Sequence, residues 1–248
     1  MKRLCIDVGN SRIKSAIEDE GVLTALPAVA NVPETVKTSL DTAWQSQQAV
    51  DAIWCASVGH GQTNRVVEQW CEERYGLPVN FIKVMASAGG VTNAYRQQAT
   101  LGVDRWLAAI AGFARHRQAC VVFDCGTALT AEFVTAAGKY LGGAILPGPT
   151  IMSASLARGT AQLPAVDQLL EGVVGGDTAE CIAVGIGSAI AGWFDRTIET
   201  ARKIFGQPPV CILTGGGADS IRQLAPPGME SAPMLVVEGI ALVARELR

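Results

Sequence analysis

The chain has 248 residues, 49% of them apolar and 17% charged, with 27 glycines and a formal net charge of −3. That length fills one large domain or two lobes of ordinary size, and the apolar content supports a full core without staples. The acidic balance, with no Lys/Arg run longer than two residues, argues against nucleic-acid or membrane-surface partners held by charge.

The seven cysteines, at 5, 55, 71, 120, 125, 181 and 211, form no Cys-x-x-Cys pair and share the chain with two histidines, which argues against a zinc site. They read as buried thiols in a reducing compartment. Only Leu4-Cys5-Ile6 separates Met1-Lys2-Arg3 from Asp7, too short a core for a signal peptide, and the apolar stretch 182–194 is too short to span a membrane. A cytoplasmic protein is expected.

In chain order, residues 2–6, 12–18 and 22–29 read as three strands of an antiparallel meander. Residues 34–48 are expected to be helical, and 52–57 a strand ending at Gly59-His60-Gly61. Residues 64–75 place Val66, Val67, Trp70 and Cys71 on one helical face and stop at Gly76. A strand is expected at 78–84 and an ordered loop, carrying Tyr95, at 86–102. From Val103 a helix is signalled by Trp106, Leu107, Ile110 and Phe113 at helical spacing, with Asp104 and Arg105 in its first turn. The helix dipole favours Asp104 there by itself, whereas Arg105 is unfavourable there and calls for a specific anionic partner.

The second half repeats the opening: strands at 120–123, 128–135 and 139–146, then a helix at 151–157 and a loop at 172–176. Asp177 and Glu180 fit a capping box before a long helix that runs to Gly206. Gly185, Ala189 and Gly192 share one of its faces, which suits either internal packing or a contact with a second copy. A strand at 210–213 runs into Thr214-Gly215-Gly216-Gly217-Ala218, glycine-rich enough for a flat ligand or phosphate to meet backbone. A helix at 220–224, a Pro226-Pro227-Gly228 turn, a strand at 234–237 and a helix from Gly239 close the chain.

Residues 121–130 carry the strongest chemical signal. An apolar run ends on Asp124, Gly126 permits a sharp turn, and Thr127 and Thr130 supply hydroxyls, the ingredients of a phosphate or cation site. Asp124 reads as a metal ligand or as a turn carboxylate. The same plan stands 117 positions earlier in Asp7-Val8-Gly9-Asn10-Ser11, and each copy is followed by a second strand. Two copies indicate a duplicated domain with two facing turns. No Gly-x-Gly-x-x-Gly and no Walker A string is present, so neither a Rossmann fold nor a P-loop ATPase is supported.

On these motifs the chain resembles the type III pantothenate kinases, within the actin, sugar-kinase and heat-shock-chaperone superfamily. Asp7–Ser11 resembles the family's first phosphate motif, Gly102-Val103-Asp104-Arg105 its substrate motif and Asp124–Thr130 its second phosphate motif. Gly142-Gly143-Ala144-Ile145-Leu146-Pro147-Gly148 fits as well. The resemblance implies an α/β chain of two duplicated ribonuclease-H-like lobes with a cleft between them, 1–117 and 118–248. It also implies a homodimer and ATP-dependent phosphorylation of pantothenate, the first step towards coenzyme A. Position by position, Asp104 would be the base. Tyr95, Gly102, Val103, Asp104, Arg105 and Thr178 would hold pantothenate, Thr178 reaching it from the partner subunit. Asp7, Val8, Gly9, Asn10, Ser11, Arg12, Ile13 and Lys14, with Thr127, would hold ATP. Asp124 would bind potassium, or ammonium in its place, and magnesium would accompany ATP. The family usually has Asn before that threonine, where this chain has Asp177. Lys14 reads by itself as an exposed strand residue. An actin-like phosphohydrolase and a non-catalytic ATP-binding regulatory factor are the alternatives.

Overall fold

A computed structural model describes residues 1–44, 49–59, 61–170, 172 and 174–247. The last four positions of the expected helix 34–48, His60, Val173 in the expected loop 172–176 and the final Arg248 lie outside the described residues. Contacts divide the chain into two units. The first is Met1–Arg115 with Gly138–Tyr140 and Met234–Arg248, and the second is His116–Ala137 with Leu141–Pro233. The expected lobes met at 117/118; in this division the closing helix groups with the first unit.

The first unit opens with β1 (Lys2–Val8), β2 (Arg12–Asp19) and β3 (Val22–Ala30), followed by α1 (Val36–Ala43), β4 (Ala52–Ser57), α2 (Gly61–Tyr75) and β5 (Val79–Phe81). These strands form one sheet in the order β3-β2-β1-β4-β5. Strand β1 is antiparallel to β2 and parallel to β4. Leu4, Ile6, Val8, Ile13, Leu40, Val67, Trp70 and Trp44 bury one face of it. The two indoles meet edge to face at 5.5 Å, and each N–H is satisfied, Trp44 by Pro27 O and Trp70 by Asp41 Oδ1.

The expected loop 86–102 contains the hairpin β6 (Ser87–Ala88) and β7 (Val91–Asn93) and a 3-10 turn at Gln98–Thr100. Gly89 and Gly90 form its turn with φ of 59° and 78°, a left-handed pair that gives a two-residue connection the twist of its strands. Then comes α3 (Val103–His116), buried along most of its length.

The second unit holds β8 (Cys120–Cys125), β9 (Ala128–Val134), β10 (Lys139–Pro147), α4 (Pro149–Gly159), α5 (Thr178–Phe205), β11 (Val210–Thr214), α6 (Ala218–Ile221) and β12 (Glu230–Ser231). Its strands run β10-β9-β8-β11-β12, the order of the first sheet, again with the first strand antiparallel to the second and parallel to the fourth. The duplication read from two Asp-x-Gly strings is therefore a duplication of whole sheets. Lys139 and Tyr140, at the start of β10, count with the first unit, where they run parallel to Thr92 and Asn93 of β7.

The expected strand at 234–237 is instead the start of α7 (Leu235–Glu246). Val236 and Val237 look like a strand in isolation, but with Ile240, Ala241, Val243 and Ala244 they recur at helical spacing and are all buried. On α5, internal packing of Gly185, Ala189 and Gly192 is overturned. All three are exposed, and a Cβ added at Gly185 or Gly192 would meet nothing within 4 Å. The close approach is at Gly187, where an added Cβ would lie 2.8 Å from Leu170 O.

Candidate functional site

The first Asp-x-Gly turn joins β1 to β2. Gly9 N–H donates to Arg12 O at 3.0 Å, and Asp7 stands opposite Lys14 across the antiparallel pair. The register of β2 against β3 shifts between Ile13 and Ser15, so Lys14 sits at an irregularity of the kind that re-aims a side chain. It is half-buried, not a plain surface residue; Val8 and Ile13 are buried, and Asn10, Ser11 and Arg12 are exposed. Behind the turn, Asn31 donates from Nδ2 to Gly9 O at 2.7 Å and from its backbone N–H to Ser11 O at 3.0 Å. Its own Oδ1 accepts from the hydroxyl of buried Thr63 at 2.7 Å.

The second turn, in the other unit, repeats this plan. Gly126 N–H donates to Ala128 O at 3.0 Å, as Gly9 does to Arg12. Asp124 faces Thr130 across β8 and β9 and Thr214 on β11. A Cβ on Gly215 would fall 2.5 Å from Asp124 Oδ1 and 2.4 Å from Cys125 O, so only glycine leaves that carboxylate its present place. Thr130 Oγ1 is buried with no hydrogen-bond partner among the described residues. A carboxylate and an orphaned hydroxyl on directly opposed strand positions are oxygen donors suited to a hard cation or to anionic phosphate. The group implied by the resemblance fits this donor set. Exposed Thr127 accepts Gly148 N–H at its carbonyl, 3.1 Å away. Burial, then the charge of Asp124, pushes the Cys125 thiol up, which keeps it an inert neighbour.

The third cluster, in the first unit, surrounds the N-terminus of α3. Val103 is buried, while Gly102, Asp104 and Arg105 are half-buried. Asp104 Oδ1 accepts the Arg105 N–H at 2.8 Å. Burial raises the Asp104 pKa above the ordinary carboxylate range, against the opposing pull of that N–H and of the Arg105 charge. The Arg105 guanidinium lies 5.9 Å from the centre of the Tyr95 ring, and its Nη2 is 3.5 Å from the Tyr140 hydroxyl. Tyr140 is fully buried, stacks on Tyr95 at 6.2 Å and meets Trp106 edge to face at 5.8 Å. The loop is tied to this cluster through Asn93, whose Oδ1 accepts Tyr95 N–H at 2.9 Å.

Thr178 is exposed at the first turn of α5 and lines an apolar groove of about 660 Å³ against α4, with Ile151, Met152, Leu156 and Ile182. Asp177 is the N-cap, accepting Glu180 N–H at 2.9 Å, while the Glu180 carboxylate reaches back to Gly176 N–H at 2.7 Å. The capping reading holds, with the return bond one residue earlier than in the standard box.

A sequence profile described as type III pantothenate kinase matches residues 3–200. The chain belongs to the type III pantothenate kinase family. A type III pantothenate kinase of Nitrosococcus oceani is 33% identical over 98% of this chain and 94% of its own length. One of Alkalilimnicola ehrlichii is 34% identical over 98% of both chains. Among solved structures, a Campylobacter jejuni protein assigned to the Baf family of transcriptional activators superposes with a TM-score of 0.58 at 16% identity, covering 98% of each chain. A ROK family glucokinase from Streptomyces griseus follows at 0.54 and 14%, covering 99% of this chain and 100% of that one. These last two likenesses speak for the fold alone: α/β, built from duplicated lobes.

For a member of the pantothenate kinase family, the sequence reading named most of the residues these clusters contain. It missed Asn31 and Thr63, which support the first turn from other elements, and Asn93 and Tyr140, which support the corner at α3. Only Tyr140 carried a local signal, a lone aromatic beside the Gly142-Gly143 run.

Proposed function

We propose that this chain transfers the γ-phosphoryl group of ATP to the primary hydroxyl of pantothenate, giving 4'-phosphopantothenate and opening the route to coenzyme A. Family membership over nearly the full length supports the reaction, and the α3 corner is the observation that carries the assignment of roles. A half-buried carboxyl with a raised pKa is a better base than an ordinary one. Arg105, the next residue, offers a planar fork for the pantothenate carboxylate, and Tyr95 covers it.

With Oδ1 engaged by Arg105 N–H, Oδ2 of Asp104 takes the hydroxyl proton as the alcohol oxygen bonds to the γ-phosphorus. The bond from that phosphorus to the bridging oxygen breaks, and ADP leaves. Asp7, Gly9–Lys14 and Thr127 are assigned to the ATP phosphates, with Val8 and Ile13 fixing the strands on either side. Gly102 and Val103 shape the substrate corner. Asp7 is the residue that would hold magnesium, which when bound neutralises charge on the triphosphate. Asp124 would hold potassium, or ammonium, with Thr130 Oγ1 as a second oxygen.

We assign Thr178 a contact with pantothenate bound to a second copy of the chain. The apolar groove beside it and the exposed small face of α5 support a homodimer. A cytoplasmic location follows for an enzyme that draws on ATP. Among the described residues, no helix is long and apolar enough to cross a membrane. The test is ADP formation in a coupled assay. It should require pantothenate, rise with potassium over sodium, and vanish in Asp104→Asn while the variant stays folded. Full activity of that variant would refute the assignment.

A further inference from the structure

The first phosphate turn is braced from behind by two residues that no motif contains. Asn31, just past the end of β3, holds both Gly9 O through its side-chain amide and Ser11 O through its backbone N–H. Those two carbonyls flank Asn10. Turning their lone pairs onto Asn31 takes acceptor oxygens away from the ligand side, where they would repel phosphate. The orientation of the Asn31 amide is in turn fixed. Its Oδ1 accepts the hydroxyl of Thr63, which is fully buried in the first turn of α2 and bonds at 2.7 Å. A reversed amide would set Oδ1 against Gly9 O, which can only accept, so the Gly9 carbonyl selects the orientation and the Thr63 hydroxyl, donating to Oδ1, holds the amide in place. A third contact closes the assembly just past the end of β4, where Val58 N–H donates to Val8 O at 3.2 Å.

We propose that Asn31 and Thr63 are positioning residues for the ATP site: together they hold the Gly9–Ser11 turn in the geometry that receives phosphate. The inference rests on the function proposed above and adds residues to its nucleotide half alone. Neither side chain is assigned a contact with substrate; both act through the turn.

The test compares Asn31→Ala, Thr63→Val and Thr63→Ser with the unmutated protein. Affinity for the magnesium complex of the non-hydrolysable analogue AMP-PNP is measured by calorimetry, and KM is measured separately for ATP and pantothenate. Asn31→Ala should weaken analogue binding and raise KM for ATP by on the order of tenfold, with KM for pantothenate within about twofold. Thr63→Val, which keeps the shape and loses the donor, should move in the same direction, whereas Thr63→Ser should behave as wild type. A proportional rise in both KM values, analogue binding unmoved in Asn31→Ala, or equal loss in Thr63→Ser and Thr63→Val would overturn the proposal. Should Asn31→Ala fail to fold, the Thr63 pair decides. Absence of analogue binding in the unmutated protein would overturn the proposed function and this inference with it. Normal binding there with Asn31→Ala unchanged removes the brace alone.

Discussion

Gly102 is the position at which a single methyl group should separate catalysis from folding. A Cβ built there lies 2.5 Å from Asp104 Oδ1, where ordinary contact begins at 3.4 Å, so Gly102→Ala must drive the carboxylate back by about 0.9 Å. That retreat also strains the 2.8 Å bond from Arg105 N–H. A misplacement of about 1 Å at a reacting group costs on the order of a hundredfold in rate, or about 2.7 kcal/mol of transition-state stabilisation. The backbone at 102 is outside the left-handed region, so alanine brings no conformational strain, and the stability change should stay within about 1 kcal/mol. Steady-state kinetics with saturating ATP and pantothenate, beside a thermal melt, make the assay. The expected result is a kcat lowered about a hundredfold with Tm nearly unchanged. A variant retaining wild-type kcat would show that the Asp104 carboxylate is not the base or is not held where the structure places it.

Other substitutions probe different links. Asp104→Asn should abolish turnover yet raise stability at neutral pH. The folded-state pKa of Asp104 is raised, so the native state is penalised once pH exceeds the unfolded value, and the variant's advantage should shrink as pH falls towards 3.8; urea titrations across pH check the sign. Gly215→Ala places a Cβ against Cys125 O and Asp124 Oδ1 at a φ of +100°, so potassium-dependent activity and thermal stability should both fall. Thr130→Val removes the orphaned hydroxyl. The rise in Tm on adding potassium chloride over sodium chloride should shrink relative to wild type, and an unchanged rise would deny Thr130 a part in the cation site. Glu18→Leu strands Arg3, its buried partner across β1 and β2, and should cost about 3–5 kcal/mol by urea unfolding with little effect on either KM.

The duplication was legible because each copy announced itself by the same string, an apolar run ending in Asp-x-Gly, and a strand-turn-strand unit is local in sequence. Helix α3 was legible because its apolar spacing is unbroken from Val103 to Phe113. The start of α7 was not, since a pair of valines satisfies strand and helix alike until a third turn is counted. The Gly89-Gly90 hairpin was a missed signal, because a polar stretch hid a two-residue turn of a known type. The supports of the site were hidden for a different reason. Asn31 and Thr63 act at separations of 22 and 32 residues, and Tyr140 reaches Arg105 from 35 residues away. Side chains that act through tertiary contact leave no spacing for a pattern to detect.

The most direct measurement is the identity of the phosphorylated product. With the purified protein, magnesium ATP, pantothenate and potassium, phosphorus NMR should show one phosphate monoester growing in step with ADP, coupled to the methylene protons of the pantothenate primary alcohol. Inorganic phosphate accumulating with ADP whether or not pantothenate is present would contradict the account.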